Sequence, residues 1–188
     1  SATIQDGGEG NENDRPDLTV SGAGIVSEGE VATFSINLSN PVAHEVTLDL
    51  RTKVNGNRNT AEDEDIGEMR AYYLDATSPD ADSDGKVYLD FDGHNIQVPA
   101  GVQDVYVEVA TIDDNGAPVH EGLERFQLVV RDVDGVTTDS NGKAKAAGYI
   151  DDSGNGAGND ADDDRPTITD ITEPTVDEGQ AAVFDVTL

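Results

Sequence analysis

The chain contains no cysteine and no tryptophan, and its 11 basic residues stand against 40 acidic ones. Without cysteine, disulfides cannot stabilise the fold, so a different kind of cross-link is expected. Five tyrosines and four phenylalanines leave few side chains for stacking on a sugar, which disfavours a glycosidase cleft. No apolar run approaches the roughly 20 residues of a membrane-spanning helix.

Sequence motifs of catalysis are also missing. Neither a Gly-x-Ser-x-Gly elbow nor a His-Glu-x-x-His pair occurs, and the three histidines lie in or beside turn signals. The sequence therefore predicts a protein that is not an enzyme.

The net charge of -29 makes nucleic acid and anionic membranes poor partners. Two carboxylates about 4 Å apart repel by roughly 1 kcal/mol in water and by about 4 kcal/mol at an effective dielectric constant near 20. The acids are gathered at turns, such as Asp113-Asp114, Asp151-Asp152 and 160–164, whereas a halophile-type acidic coat would be spread more evenly. Bound cations are the more economical explanation of this clustering, with a solvated acidic surface as the alternative.

Hydrophobic residues alternate with polar ones along most of the chain. Ala32, Phe34, Ile36 and Leu38 form one such series, and further series cover 46–50, 105–109 and 126–130. Period-two alternation separated by signals such as Asp92-Gly93 predicts half-buried strands. We therefore expect an all-β fold, an antiparallel immunoglobulin-like sandwich, with an insertion between about Asn55 and Gly85 that carries an extra strand or hairpin around 69–74.

The sequence nearly begins again after 150 residues. Asp14-Arg15-Pro16 returns as Asp164-Arg165-Pro166, and Glu28-Gly29 returns as Glu178-Gly179. This offset predicts a tandem array of whole domains with acidic linkers. The expected division is 1–13 (last strand of a preceding repeat and a linker), 14–152 (one complete repeat), 153–163 (an acidic linker) and 164–188 (the first strands of the next repeat). We expect the last segment to leave Phe184 and Leu188 without a core of their own, and to pack on the complete domain or on a neighbouring molecule.

Five segments of the complete repeat together resemble a Calx-beta domain. They are Val26-Ser27-Glu28-Gly29-Glu30, the strand 34–39, Val98-Pro99-Ala100-Gly101, Thr111-Ile112-Asp113-Asp114 with Glu121-Gly122-Leu123-Glu124-Arg125-Phe126, and Tyr149-Ile150-Asp151-Asp152. The tandem, cysteine-free form resembles the extender repeats of giant bacterial RTX adhesins. The resemblance implies calcium at one end of the sandwich, held by Glu28, Asp65, Asp113, Asp114, Glu121, Glu124, Asp151 and Asp152.

Acids outside that set lie at the expected junction between repeats. If the end of the last strand and the early Glu28 share a pole of the sandwich, linker acids can reach calcium there or the next repeat's Glu178. The residues expected to do so are Asp162, Asp163 and Asp164. Calcium accepts six to eight such oxygen ligands.

A second calcium signal is the Asp-x-Asp-x-Asp-Gly spacing of Asp80, Asp82, Asp84 and Gly85. This spacing is typical of an EF-hand loop, in which alternate acids converge on one ion and glycine permits a sharp turn. Phe91 stands where a bidentate glutamate is expected, so Asp90 or Asp92 would have to substitute. A plain acidic turn is the alternative.

Together these features predict a calcium-stabilised extender of a long secreted adhesin on a bacterial surface. We expect several calcium ions per repeat, a monomeric rod, and contacts with neighbouring identical repeats but with neither nucleic acid nor the membrane interior. One alternative is an adhesive module that binds a carbohydrate or protein, for which Tyr72-Tyr73 is the candidate contact. Another is a cytosolic calcium sensor, which the tandem repeat disfavours.

Overall fold

The structure is a computed structural model, and it describes residues 14–54, 60–113, 120–138, 142–154 and 163–188. In these parts of the chain no helix forms that could cross a membrane. The regular elements are strands: β1 (Leu18–Ser21), β2 (Gly24–Ser27), β3 (Val31–Leu38), β4 (Val46–Lys53), β5 (Ile66–Leu74), β6 (Lys86–Tyr88), β7 (Phe91–Asp92), β8 (Asn95–Val98), β9 (Asp104–Thr111), β10 (Glu124–Asp132), β11 (Lys143–Asp151), β12 (Asp170–Ile171) and β13 (Val186–Thr187).

Eleven of these strands form two sheets that face each other. One sheet has the order β1-β3-β9-β5-β6, and the other has the order β2-β11-β10-β4-β8-β7. Strands β1, β3, β9 and β5 correspond to strands A, B, E and D of an immunoglobulin domain, and β11, β10 and β4 to G, F and C. β2 runs parallel to β11, while the other described pairings are antiparallel. The predicted immunoglobulin-like antiparallel sandwich is confirmed.

The core lies between the two sheets and follows the alternation of the sequence. Phe34, Ile36 and Leu38 of β3 are at most 2% exposed. Phe34 meets Phe126 of β10 edge to face, with ring centroids 5.6 Å apart. This pair joins the sheets at the centre of the core, where burial of large aromatic side chains contributes most.

The strand expected as part of an insertion belongs instead to the sheet interior. Met69–Leu74 lies in β5, which pairs with β9 on one side and with β6 on the other. The added element is the short edge strand β6, together with the loop that precedes it. The expectation of a strand around 69–74 is therefore confirmed, but this strand is part of the sandwich itself rather than an addition to it.

The segment 163–188 repeats one local feature of the complete sandwich. Gly179 has a φ of 88°, and Gly29, at the equivalent repeat position, has a φ of 76°. The same backbone hydrogen bond closes both turns, from Gln180 N–H to the Asp177 carbonyl (3.0 Å) and from Glu30 N–H to the Ser27 carbonyl (3.2 Å).

Apolar side chains in this segment are exposed. Phe184 and Leu188 are 61% and 72% exposed, whereas their counterparts Phe34 and Leu38 are 0% and 2% exposed. The two residues lack a core, as expected, but they do not pack on the complete sandwich. The strands β12 and β13 pair with each other only through two residues each, which is too little to cover them.

Candidate metal centre

Six strand ends meet at one pole of the sandwich. β2 and β11 end side by side, because Ser27 pairs with Asp151, and β10 begins next to them, because Glu124 pairs with Ile150. In the other sheet, β3 and β5 begin where β9 ends. Loops at this pole therefore bring together segments that are distant in the sequence.

Four carboxylates converge at this pole: those of Glu62, Asp65, Glu121 and Glu124. One oxygen from each lies within 4.8 Å of the others. A calcium ion with bonds of about 2.3–2.6 Å places opposite ligands about 5 Å apart, so the spacing fits a single ion. Hard carboxylate oxygens are also the donors that such a cation prefers, so these four acids can hold a metal ion. Because they lie at the pole of the sandwich, we call them the polar cluster.

The cluster consists of two pairs that enter opposite sheets. Glu62 and Asp65 precede β5 of one sheet, while Glu121 and Glu124 lead into β10 of the other. The Glu62 N–H donates to the Asp65 carboxylate at 2.6 Å, and the Ile112 N–H donates to the Asp65 carbonyl at 3.0 Å. A cation bound to all four side chains would therefore cross-link the two sheets.

The surroundings of Glu124 perturb the titration of this member of the cluster. Burial raises the pKa of Glu124 to about 7, and the negative charges of Asp65, Glu121 and Glu62 add to the effect. Both Asp65 and Glu124 are 8% exposed. A buried acid among like charges resists ionisation, and a cation bound there would favour its charged form.

Asp152 and Asp151, two of the expected ligands, lie beside the cluster and have other partners. The Asp152 carboxylate accepts the Glu121 and Gly122 N–H groups at 2.5 and 2.9 Å, and His120 Nδ1 lies 3.0 Å away. Asp151 accepts the Ser153 hydroxyl at 2.6 Å. Asp152 thus fixes the loop that carries Glu121.

The chain after the sandwich returns to the same pole. Ser153 pairs with Asp163 in an antiparallel bridge, and the Asp164 N–H donates to the Asp152 carbonyl at 2.9 Å. The Asp163 carboxylate binds Arg165 Nη2 at 2.6 Å, and this hydrogen bond lowers the pKa of Asp163 to about 2. The junction is therefore anchored to the residue that holds the cluster's loop.

Among the described residues, the remaining expected ligands of the first site and of the junction do not join the polar cluster. Asp113 lies at this pole, because its Cβ would be 3.2 Å from a Cβ added at Gly29. Glu28 lies in the turn that contains Gly29. In the described ranges neither joins a group of three or more potential metal ligands, and Glu178 is exposed in the segment 163–188. Asp114 and Asp162 fall outside the described residues.

The loop with EF-hand spacing forms the predicted sharp turn. Gly85 has a φ of 77°. One oxygen of Asp82 accepts the N–H groups of Asp84 and Lys86, both at 2.9 Å, so this carboxylate stabilises its own loop. Among the described residues, Asp80, Asp82 and Asp84 do not converge as the polar cluster does, and Asp90 lies beyond the loop, between β6 and β7. Calcium binding by this loop stays a prediction.

Sequence reasoning missed Glu62. The residue lies three positions before Asp65, as Glu121 lies three before Glu124, and this matched spacing was the available signal. It was hidden in a run of four acids, Glu62 to Asp65, inside the assumed insertion.

Comparisons with known proteins identify no family. No protein-family model matches the chain, and no curated protein matches it. A solved structure of the Enterococcus faecalis MSCRAMM ACE, described as binding its ligands by the collagen hug model, is 10% identical with a TM-score of 0.33. The match covers 73% of this chain and 51% of that one, so this chain spans about half of that structure. At this TM-score the likeness establishes neither family nor ligand.

Proposed function

We propose that the chain is a calcium-stabilised extender module of a long secreted bacterial surface protein, and that it has no catalytic role. The polar cluster is the observation that carries this proposal. Four acids from two sheets converge in a protein that has no disulfide, so one ion there would replace the missing covalent cross-link. The cluster's oxygen ligands favour a hard cation, and calcium tolerates a site built from loops better than magnesium does.

The position of the cluster links ion binding to the next segment of the chain. Glu121 belongs to the cluster, Asp152 holds the Glu121 backbone, and Asp164 is bonded to Asp152. An ordered cluster would therefore support the junction through two successive hydrogen bonds. This relay supports a role in which calcium stiffens the connection between successive repeats and projects a distal binding region.

Ion binding would also act as a folding switch. A protein that binds an ion only when folded gains about 2.7 kcal/mol when the ion is at a hundredfold its dissociation constant. Where calcium is scarce, the charge of -29 disfavours the compact state and keeps the chain loose enough for export. Extracellular calcium would then fold and stiffen each repeat.

The alternative role of Tyr72-Tyr73 as an adhesive contact has less support. Tyr72 is 7% exposed and stacks on Tyr106 with ring centroids 5.3 Å apart. Lys86 Nζ lies 4.5 Å from the Tyr72 ring centre and is paired with Glu108 at 2.8 Å. These interactions cover the Tyr72 ring, so it contributes to the sheet rather than offering an open surface.

Thermal unfolding in chelator, in calcium and in magnesium at equal ionic strength tests the proposal. We expect calcium to raise the midpoint strongly and magnesium to raise it little. The double variant Glu62→Gln/Asp65→Asn should lose the calcium-specific increase. The matched control Asp63→Asn/Glu64→Gln, which changes two exposed acids of the same segment, should keep it.

Equal increases with both cations would leave only charge screening and would contradict the proposal. Small-angle scattering tests the extender role separately. Calcium should narrow the distribution of distances between the sandwich and segment 164–188 in the natural chain and in the control variant, and should leave it unchanged in Glu62→Gln/Asp65→Asn.

A further inference from the structure

Most of the chain's few basic residues lie on one face of the sandwich. In β4, β10 and β11, the side chains that alternate with the buried core positions point outward. Six of the 11 basic residues of the chain occupy such positions: Arg51, Lys53, Arg125, Arg131, Lys143 and Lys145. We call these six residues the basic face.

The register places the basic face in two rows of cations, one on β4 and one on β11, which we call the rails. Between them lie the uncharged outward residues of the central strand β10. Val129 on the central strand β10 lies between Arg51 of β4 and Lys145 of β11. Gln127, the next outward residue of β10, lies between Lys53 and Ala147. With strands about 4.8 Å apart, the rails are separated by about 10 Å.

Arginines mark the two ends of this shallow channel. Arg131 lies at one end of the outward row of β10, beside Lys143, and Arg125 lies at the other end, beside Tyr149. The two arginines are six residue steps apart along the strand, which corresponds to about 20 Å. The channel is therefore about 20 Å long, and the pole that carries the four clustered acids lies beyond its Arg125 end.

The arrangement is unfavourable for the isolated sandwich. Arg131 and Lys143 are direct cross-strand neighbours, and like charges in that position destabilise a sheet. Asp49 offsets part of the charge, because it binds Arg51 through Nε at 2.8 Å and Nη2 at 3.0 Å and is also the direct cross-strand neighbour of Arg131 on the β4 side. Within the described ranges, Lys53, Arg131, Lys143 and Lys145 have no carboxylate within ion-pair distance.

We propose that the basic face binds a linear polysaccharide that carries carboxylate or sulfate groups. The two rails would contact the anionic groups, and Val129, Ala147 and Tyr149 would contact the apolar faces of the sugar rings. An acidic peptide fits less well, because an extended peptide gains its backbone hydrogen bonds at a sheet edge and not on a sheet face. This role goes beyond that of an extender and does not depend on calcium.

The net charge of -29 shapes this interaction without preventing it. At physiological ionic strength charges are screened beyond about 8 Å, so a thin polymer in the channel interacts mainly with the rails. A broad polyanion such as duplex DNA would also approach the acidic surroundings. Binding should therefore be selective for a slender polymer and should weaken steeply with added salt.

Fluorescence anisotropy with labelled short dextran sulfate and labelled short polygalacturonate tests the proposal, with neutral dextran, polyglutamate and duplex DNA as comparison probes. The variant Lys143→Gln/Lys145→Gln removes two charges from one rail. The control Thr19→Glu/Ser21→Glu changes the net charge equally on the exposed outer side of β1, in the other sheet. Circular dichroism and the thermal midpoint of both variants verify that they are folded.

We expect one or both anionic polysaccharides to bind the natural chain and the control, and to bind the lysine variant about tenfold more weakly, because the variant loses two exposed charge pairs with the polymer. The two anionic probes distinguish carboxylate from sulfate recognition. Equal affinity of the two variants, or binding of polyglutamate or DNA at least as tight as that of the polysaccharides, would overturn the proposal. Measurement in chelator and in calcium, and on Glu62→Gln/Asp65→Asn, separates this result from the calcium proposal.

Discussion

Glu124 is the residue at which the electrostatics of the polar cluster are most visible. Its carboxyl group titrates near 4.5 in an unfolded chain and at about 7 in the fold. The folded state therefore holds this proton more tightly. Without metal, the contribution of Glu124 to stability is complete below about pH 4.5 and is lost as the pH rises through about 7.

Glu124→Gln should accordingly stabilise the metal-free protein at pH 8. The pKa difference sets an upper limit of about 3 kcal/mol, and solvent around the half-open cluster reduces the expected gain to about 1–2 kcal/mol. At pH 4 the variant and the natural chain should have nearly equal free energies of unfolding. Urea unfolding in chelator at the two pH values measures both.

The same substitution should have the opposite sign in calcium. Loss of one carboxylate ligand should reduce the calcium-dependent increase in the free energy of unfolding. The variant should therefore be the more stable protein without calcium and the less stable one at high calcium concentration. A variant that is less stable than the natural chain at pH 8 in chelator as well would show that Glu124 is held by interactions other than repulsion among the cluster acids.

Asp152 has a structural role that needs no ion. It is 3% exposed and accepts two backbone N–H groups of the loop that carries Glu121. Asp152→Ala should lower the free energy of unfolding by about 3 kcal/mol even in chelator, because buried donors lose a charged acceptor. Asp63→Ala, an exposed acid nearby, is the control and should change stability by less than about 0.5 kcal/mol.

At the level of the strands, Gly148 of β11 determines how closely the two sheets approach. A Cβ at this position would lie 2.8 Å from Phe126 Cε1 and 2.9 Å from Phe34 Cζ. Gly148→Ala should therefore destabilise the protein by about 1–3 kcal/mol through overpacking.

A double-mutant cycle isolates this contact. Phe126→Leu removes the ring atoms nearest to the added methyl group, so the combined variant should be more stable than the sum of the two single changes predicts. Additive losses would place the strain in the β11 backbone rather than in the aromatic contact.

The strands that the sequence predicts best are those whose two faces differ in polarity. In β3, β4, β9 and β10 each apolar position of the alternation is buried, because only one face of each strand meets the core. A strand was expected where β5 lies, but it was assigned to an insertion because a largely polar stretch of sequence surrounds it. Pairing partners such as β5 with β9 depend on packing across long loops, which local periodicity does not encode.

The candidate site was predictable to a similar degree. Asp65, Glu121 and Glu124 were expected from the family resemblance, and they converge with Glu62 in the fold. The precise set could not be derived from spacing, since acids adjacent in sequence face different partners. Asp152 binds backbone amides, and Asp82 closes its own turn.

At the scale of the whole molecule, charge is divided between two regions rather than spread evenly. The acids concentrate at the polar end and in the loops, while six cations line the outer side of one sheet. The outward cations alternate with buried or partly buried residues along β4, β10 and β11, so they form one face only when these strands are paired. Salt should therefore affect the two regions in opposite ways, stabilising the acidic pole and weakening any contact made by the basic face.

The parallel pairing of β2 and β11 has a mechanical consequence. These strands lie near the start and the end of the sandwich, and four residue pairs join them, from Gly24 with Gly148 to Ser27 with Asp151. A pull on the two ends of a tethered chain would draw the strands past each other along their length. The bonds between them would then be loaded together in shear rather than opened one after another, so the domain should withstand flow forces better than its modest core suggests.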